Sequence, residues 1–426
     1  MNIQDLDAIL RNQITTYSRR DFIPGVTPIY YSAPYWDVEE IKAGVNAFLN
    51  GRWVSSGENV YEFEQKFNKK FKNGFSLMVN SGSSANLILM GGLKKHFRWN
   101  DNDEIIISPV GFPTSISVIY QNNLKPVFVD IEMETLNFDV NKIEEKITNK
   151  TRGIIVSPVL GNPPDIYKLL EICDIYDIQL IGDNCDSLGT KWDNKLLNEY
   201  YVASTCSFYA SHHITTGEGG MISTNNGKLN SIFHKLSYWG RDCYCIGAEN
   251  LLPDGKCGKR FDYWLKNYNG IIDHKYIFSE MGYNLKPLDL QGAIGVIQLN
   301  KFDEIEINRK ISKEKITSIF LNNIMNLRPP NTLNKSDVCW FGTPFICEEP
   351  NLKHKLVSYL EKNKIQTRNY FAGNILLHPG FSFLDDYKNY PNANKILDSV
   401  FFIGASPHYN NEIFQYIEDI IKQFKL

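Results

Sequence analysis

The sequence predicts an α/β fold: a large domain on a mostly parallel sheet, followed by a smaller C-terminal α+β domain. Three observations predict it. Short apolar runs fall at 75–80, 104–109, 126–130, 153–157, 179–182, 205–209 and 220–224. Most are apolar throughout, as strands buried on both faces are. Helical periods lie between them, as at 84–98 and 141–147. Such alternation implies a sheet covered by helices on both faces, with ligands at the carboxyl ends of the strands.

The flanking elements follow in order. Residues 38–49 and 61–71 read as amphipathic helices ahead of the core, and 229–238 as a helix after it. The stretch 239–284 is rich in Gly, Cys, Asp, Lys and aromatics, and so long a loop inside a compact domain is usually functional. Long helices at 288–301 and 304–320 lead out of the core, and a smaller unit with helices near 351–363 and 411–424 follows. The expected division is an N-terminal extension over 1–35, a large domain over 36–310 and a small domain over 311–426.

The chain has 426 residues, with 45 Lys and Arg against 48 Asp and Glu, a net charge of −3. The charges are scattered, which argues against a nucleic-acid-binding surface or a polybasic membrane anchor. No apolar run approaches the ~18 residues of a membrane helix, and MNIQDLDAILRNQ lacks the architecture of a signal peptide. The expectation is a cytoplasmic protein. Eight cysteines in so long a chain are not a disulfide framework, and a close cluster in a reducing compartment points to metal or catalysis.

Three strand-end segments carry candidate chemistry. Asn80-Ser81-Gly82-Ser83-Ser84-Ala85-Asn86 joins a strand to a helix. Its small residues let backbone N–H groups approach a phosphate, and they also fit a Ser-capped helix start. Ile181-Gly182-Asp183-Asn184-Cys185-Asp186 ends a second strand, where a carboxylate can pair with a protonated ring nitrogen. Ser207-Phe208-Tyr209-Ala210-Ser211-His212-His213 follows a third, ahead of Gly217-Glu218-Gly219-Gly220.

In combination, NSGSSANL, GFPTS, KPVFVDI, GDNCD, SFYASHH, GEGG and GYNLKPLDLQGAIG resemble the DegT/StrS family of pyridoxal-phosphate sugar aminotransferases. The resemblance runs from about residue 35 to 299. It implies the aspartate-aminotransferase fold (pyridoxal-phosphate fold type I) and a homodimer acting on nucleotide-linked keto sugars. In that family the loop after SFY carries the Schiff-base lysine, and here the residue is His212. Imidazole cannot form that bond. The resemblance therefore implies diffusible pyridoxamine phosphate (PMP, the amine form of pyridoxal phosphate), with His212 as base. It places the chain with the family's 3-dehydratases of 4-keto-6-deoxy sugars. It further implies that Asp183 pairs with the pyridine nitrogen and that Gly82, Ser83, Ser84 and Ser207 hold the phosphate. Phe112 stacks on the ring, Asp186 lies beside it, and Tyr209 lies near cofactor and substrate. Asn284 reaches across the dimer to the partner's phosphate.

The cysteines separate two kinds of dehydratase. One has no metal and regenerates its amine from glutamate. The other acts on a CDP-linked sugar and carries a 2Fe–2S cluster on one cysteine after the ring-binding aspartate, a distant C-x-C and a fourth cysteine. This chain has Cys185, then Cys243 and Cys245, then Cys257; residues 186–242, 244 and 246–256 intervene. The last interval is longer than in that branch. Four cysteines suit a 2Fe–2S cluster or a structural zinc. The two-residue step from Asp183 to Cys185, at most about 7 Å between Cα atoms, favours iron, because zinc passes no electrons. Cys173, Cys206, Cys339 and Cys347 read as ordinary buried cysteines. The implied activity is carbon-3 deoxygenation completed by a separate NADH-dependent flavin iron–sulfur reductase, making 3,6-dideoxy sugars for lipopolysaccharide or capsule. The alternatives are a glutamate-recycled GDP-sugar dehydratase without the cluster, and an inactive sugar-nucleotide-binding relative with a zinc site.

Overall fold

The computed structural model describes Ala8 and residues 22–51, 54–243 and 259–425. The first sheet has seven strands: β1 (Phe75–Val79), β2 (Glu104–Ile107), β3 (Lys125–Phe128), β4 (Thr151–Val156), β5 (Gln179–Asp183), β6 (Ala203–Ser207) and β7 (Gly220–Thr224). Their spatial order is β1-β7-β6-β5-β4-β2-β3. From β6 to β3 all neighbours are parallel; β7 runs against both β6 and β1.

Alternation along each strand feeds two cores. On β2, Ile105 and Ile107 pack with α3 (Gly82–His96), α4 (Pro113–Gln121) and α6 (Gly227–Ser237). Ile106 points the other way, to α5 (Ile166–Tyr176). On β1, Met78 faces α2 (Glu58–Phe71) while Leu77 and Val79 face α3. Both faces are thus covered, which is why the strands read as continuous apolar runs. The helical period expected over 141–147 instead forms two 3₁₀ turns, Val140–Lys142 and Glu144–Lys146. So few residues gain too little from α-helix propagation to offset nucleation.

Helices α1 (Val38–Asn50) and α2 pack on α7 (Asp289–Asn300), and α8 (Phe302–Asn323) leads to a second sheet. That sheet has order β8-β9-β11-β10, with β8 Leu327–Arg328, β9 Gly342–Cys347, β10 Thr367–Asn369 and β11 Val400–Gly404. It packs on α8, α9 (Leu352–Lys362) and α11 (Asn411–Gln423) through Phe320, Phe345, Leu356, Phe401 and Ile417. Among the described residues, no helix is long and apolar enough to cross a membrane.

Candidate active site

Sheet register gathers the three motifs on one rim. Val79 pairs with Gly220, and Gly220 with Ser207; Asp183, at the end of β5, pairs with Thr205. Because β7 is antiparallel, its start lies beside the ends of β1 and β6. The backbones meet closely there: a Cβ on Gly220 would stand 2.3 Å from the carbonyl oxygen of Ser81.

A cavity of about 580 Å³ opens on this rim. Gly82, Ser83, Asp183, Cys185, Asp186, Ser207, Tyr209 and His212 line it from the large sheet; Phe341, Arg368, Phe371 and Phe402 line it from the second. Ser81 caps α3 by accepting the Ser84 N–H at 3.0 Å. Ser84 is thereby spent on the cap and does not line the cavity, whereas Gly82 and Ser83 do. A Cβ on Gly82 would meet the Ser207 Cβ at 2.6 Å and the Cys185 sulfur at 3.2 Å. The helix start is therefore a concavity that only glycine leaves open, of the kind that accepts a phosphate.

Asp183 is 5% exposed and rigidly held. Its Oδ2 accepts from Asn86 Nδ2 at 2.8 Å and Ser115 Oγ at 2.6 Å. Asn86 Oδ1 in turn accepts from Thr205 Oγ1. Oδ1 of Asp183 accepts the Cys185 N–H at 3.2 Å, and a carboxylate oxygen has acceptor capacity left for a ring N–H. An oriented carboxylate, a helix-start cradle and a cavity of this size fit a pyridoxamine-type cofactor. Phe112 is the N-cap of α4 and is 53% exposed at the cavity wall.

The His pair divides. His213 is buried, its Nε2 3.0 Å from the Cys339 carbonyl oxygen. His212 faces the cavity with its ring 5.3 Å from Phe341. Its Nδ1 stands 3.6 Å from Asp186 Oδ1 and makes no hydrogen bond. Burial, then the Arg309 charge, pulls the His212 imidazole down to about 4, so the ring is neutral at pH 7. Burial pushes Asp186 up to about 7; the Leu160 N–H and Arg309 oppose this, and the Asp183 charge adds to it. Beneath the loop, Arg309 is 1% exposed. It donates to the carbonyls of His212 (3.0 Å), Ser211 (3.4 Å), Phe341 (3.0 Å) and Ala405 (3.4 Å).

Burial, then the Asp183 charge, holds the Cys185 thiol far above the ordinary value. Cys243 is buried; Cys245 and Cys257 lie outside the described residues. Among the described residues, no three His, Cys, Asp or Glu side chains form a metal-ready group. Cys173, Cys206, Cys339 and Cys347 are buried and free. Asn284 does not line the cavity of its own chain; it bridges to Tyr238 and accepts from Lys286 Nζ. Sequence reasoning missed Asn86, Ser115, Arg309 and Arg368. The first two lie inside the quoted motifs. Arg309 sits on the buried face of α8 with Phe302, Ile305, Ser312, Ile316 and Phe320, where a charged residue is a readable signal.

Fold and site together define an enzyme of the aspartate-aminotransferase fold. The chain belongs to the DegT/DnrJ/EryC1/StrS aminotransferase family, whose profile matches residues 36–422. It is 34% identical over 417 residues to the lipopolysaccharide biosynthesis protein RfbH of Salmonella typhimurium, covering 96% of this chain and 94% of that one. It is 36% identical over 412 residues to dTDP-4-dehydro-2,6-dideoxy-D-glucose 3-dehydratase of Saccharopolyspora spinosa, covering 95% and 88%. The structure of Escherichia coli GDP-4-keto-6-deoxy-D-mannose-3-dehydratase with bound hydrated PLP superposes with a TM-score of 0.80. The two are 29% identical, and the match covers 93% of this chain and 100% of that one.

Proposed function

We propose that this chain is a PMP-dependent 3-dehydratase that removes the carbon-3 hydroxyl of a nucleotide-linked 4-keto-6-deoxy sugar. The observation that carries the reading is His212, a neutral imidazole whose Nδ1 makes no hydrogen bond, standing in a cavity with an oriented Asp183 and, among the described lining residues, no lysine. When bound, PMP supplies an amine for the sugar ketone and a ring that accepts electrons. Asp183 keeps the ring nitrogen protonated. Gly82, Ser83 and Ser207 take the phosphate; Phe112 covers a ring face; Tyr209 and Asp186 border the reacting atoms. His212 would take up a proton at the cofactor's C4′ carbon and could return it to the departing sugar hydroxyl, which leaves as water.

The finer reading assigns Cys185, Cys243, Cys245 and Cys257 to a 2Fe–2S cluster that supplies single electrons, drawn from an NADH-dependent flavin iron–sulfur reductase. It also includes a CDP carrier, a homodimer in which Asn284 serves the partner's phosphate, a large domain over 36–310 and a small domain over 311–426. The cysteine set, in the order that the iron–sulfur branch uses, supports it. Similarity to the GDP-sugar dehydratase favours a second reading, glutamate-recycled and without iron.

Protein purified without oxygen separates them. The first reading requires two irons per chain and visible absorption lost on Cys185→Ser. Zinc or no metal, with turnover sustained by glutamate, sinks the cluster and leaves the dehydratase. A cofactor that borohydride fixes to the chain sinks both.

A further inference from the structure

We propose that Arg368 is the anchor for the diphosphate of the substrate nucleotide, an inference that rests on the sugar-nucleotide reading above. Three carboxylates line the cavity, Asp183, Asp186 and Glu218, and Arg368 is the one Lys or Arg among the described lining residues. It comes from β10, whose pairing sets Arg368 opposite Phe402. Directly paired residues share a sheet face. Thr367 turns into the core, while Arg368 and Phe402 turn to the cavity.

The side chain is already held in place. Its Cζ lies 4.3 Å from the centre of the Tyr31 ring, and Nη1 donates to the Thr367 carbonyl oxygen at 2.7 Å. Tyr31 in turn meets Phe402 edge-on at 6.0 Å. Stacking and one backbone acceptor fix the guanidinium without neutralising it, and no carboxylate pairs with it among the described residues. Arg368 is exposed on the cavity wall, so its guanidinium is hydrated and can exchange that water for an anionic ligand. A planar fork suits two phosphate oxygens. The cofactor's phosphate has its own cradle at Gly82, Ser83 and Ser207 on the other sheet, so the anion at Arg368 is a second one. The chemistry shared by a diphosphate and the carboxylate of an amino-acid donor is a bidentate oxyanion. The structure assigns the diphosphate: a nucleotide-linked sugar is the substrate in both readings above, and an amino-acid donor in only one of them.

The test is calorimetry on the PMP-loaded protein with CDP, GDP, dTDP and UDP, and separately with L-glutamate. At least one nucleoside diphosphate should bind the wild type. Arg368→Met should weaken it about 30-fold or more and flatten its salt dependence. Arg368→Lys, which keeps the charge but not the fork, should fall between, while PMP affinity stays within about twofold in both. Unchanged nucleotide affinity in Arg368→Met overturns the assignment, as does selective loss of glutamate binding or an equal loss of PMP. Should the methionine variant not fold, Arg368→Lys with wild-type nucleotide affinity also overturns the bidentate anchor. A wild type that binds no nucleoside diphosphate overturns the sugar-nucleotide reading itself, a result distinguishable from the others.

Discussion

The wall of the cavity built on Asp183 and the wall built on His212 are satisfied to different degrees. Asp183 receives three donors, and one of those donors is itself oriented by Thr205. His212 Nδ1 receives none, although Asp186 stands 3.6 Å away. Burial in both places penalises charge. On the first wall hydrogen bonds fix the carboxylate's orientation; on the second the imidazole gives up its proton. A binding group and a reactive group thus call for opposite treatment of the same apolar surroundings. The carboxylate proposed to hold the cofactor is locked by donors, while the imidazole proposed as base is held by its backbone, through Arg309, and its Nδ1 has no hydrogen-bond partner among the described residues.

The largest break in this contrast is His212→Asn. Removing the base should lower turnover by about 10²–10⁴-fold and leave PMP affinity within about threefold, read by single-turnover kinetics and equilibrium dialysis. Full turnover would remove His212 from the base role. Asp183→Asn attacks the other wall. It should weaken PMP binding by about 10–100-fold, because the pyridinium loses its charged partner, and turnover should fall with it.

Arg309→Met leaves four carbonyls in a buried place without their donor. Stability should drop by about 2–4 kcal/mol, seen as a lower denaturant midpoint, while the Asp183 wall still binds PMP. An unchanged midpoint would show that the guanidinium does not hold the loop.

Glu64 offers a control outside both walls. It is buried and takes only the Met78 N–H, and burial pushes it from 4.5 up to about 8. A carboxyl raised in the folded state contributes stability that is full below its unfolded value and is lost as pH climbs towards 8. Glu64→Gln keeps the acceptor and cannot ionise. Its stability should therefore gain on the wild type between pH 5.5 and 8, by on the order of 3 kcal/mol. A pH-independent difference would place the carboxyl in a wetter setting.

Much of the large sheet was legible because strands covered on both faces cannot hide their composition: 104–109 and 179–182 contain β2 and the body of β5. The reversed direction of β7 was not legible, since no local signal distinguishes it from its neighbours. That the strand-end motifs meet at one rim could be read, because small and acidic residues recur where each strand ends. Arg309 and Arg368 could not be assigned, because each acts on groups far away in sequence. Arg309 touches His212 97 positions away, and Arg368 stacks on Tyr31.

Those separations bear on how the molecule reaches its native state. Asn86 meets Asp183 across 97 positions, Ser115 meets Asp183 across 68, and Thr205 meets Asn86 across 119. Each of these contacts joins elements from different strands of the sheet, so none can form until those strands have taken their order. Loop closure on this scale is slow and comes late. In refolding from denaturant, recovery of the helical circular-dichroism signal should precede recovery of PMP binding. The cofactor then arrives at a finished pocket, and its affinity reports on completed folding rather than guiding it.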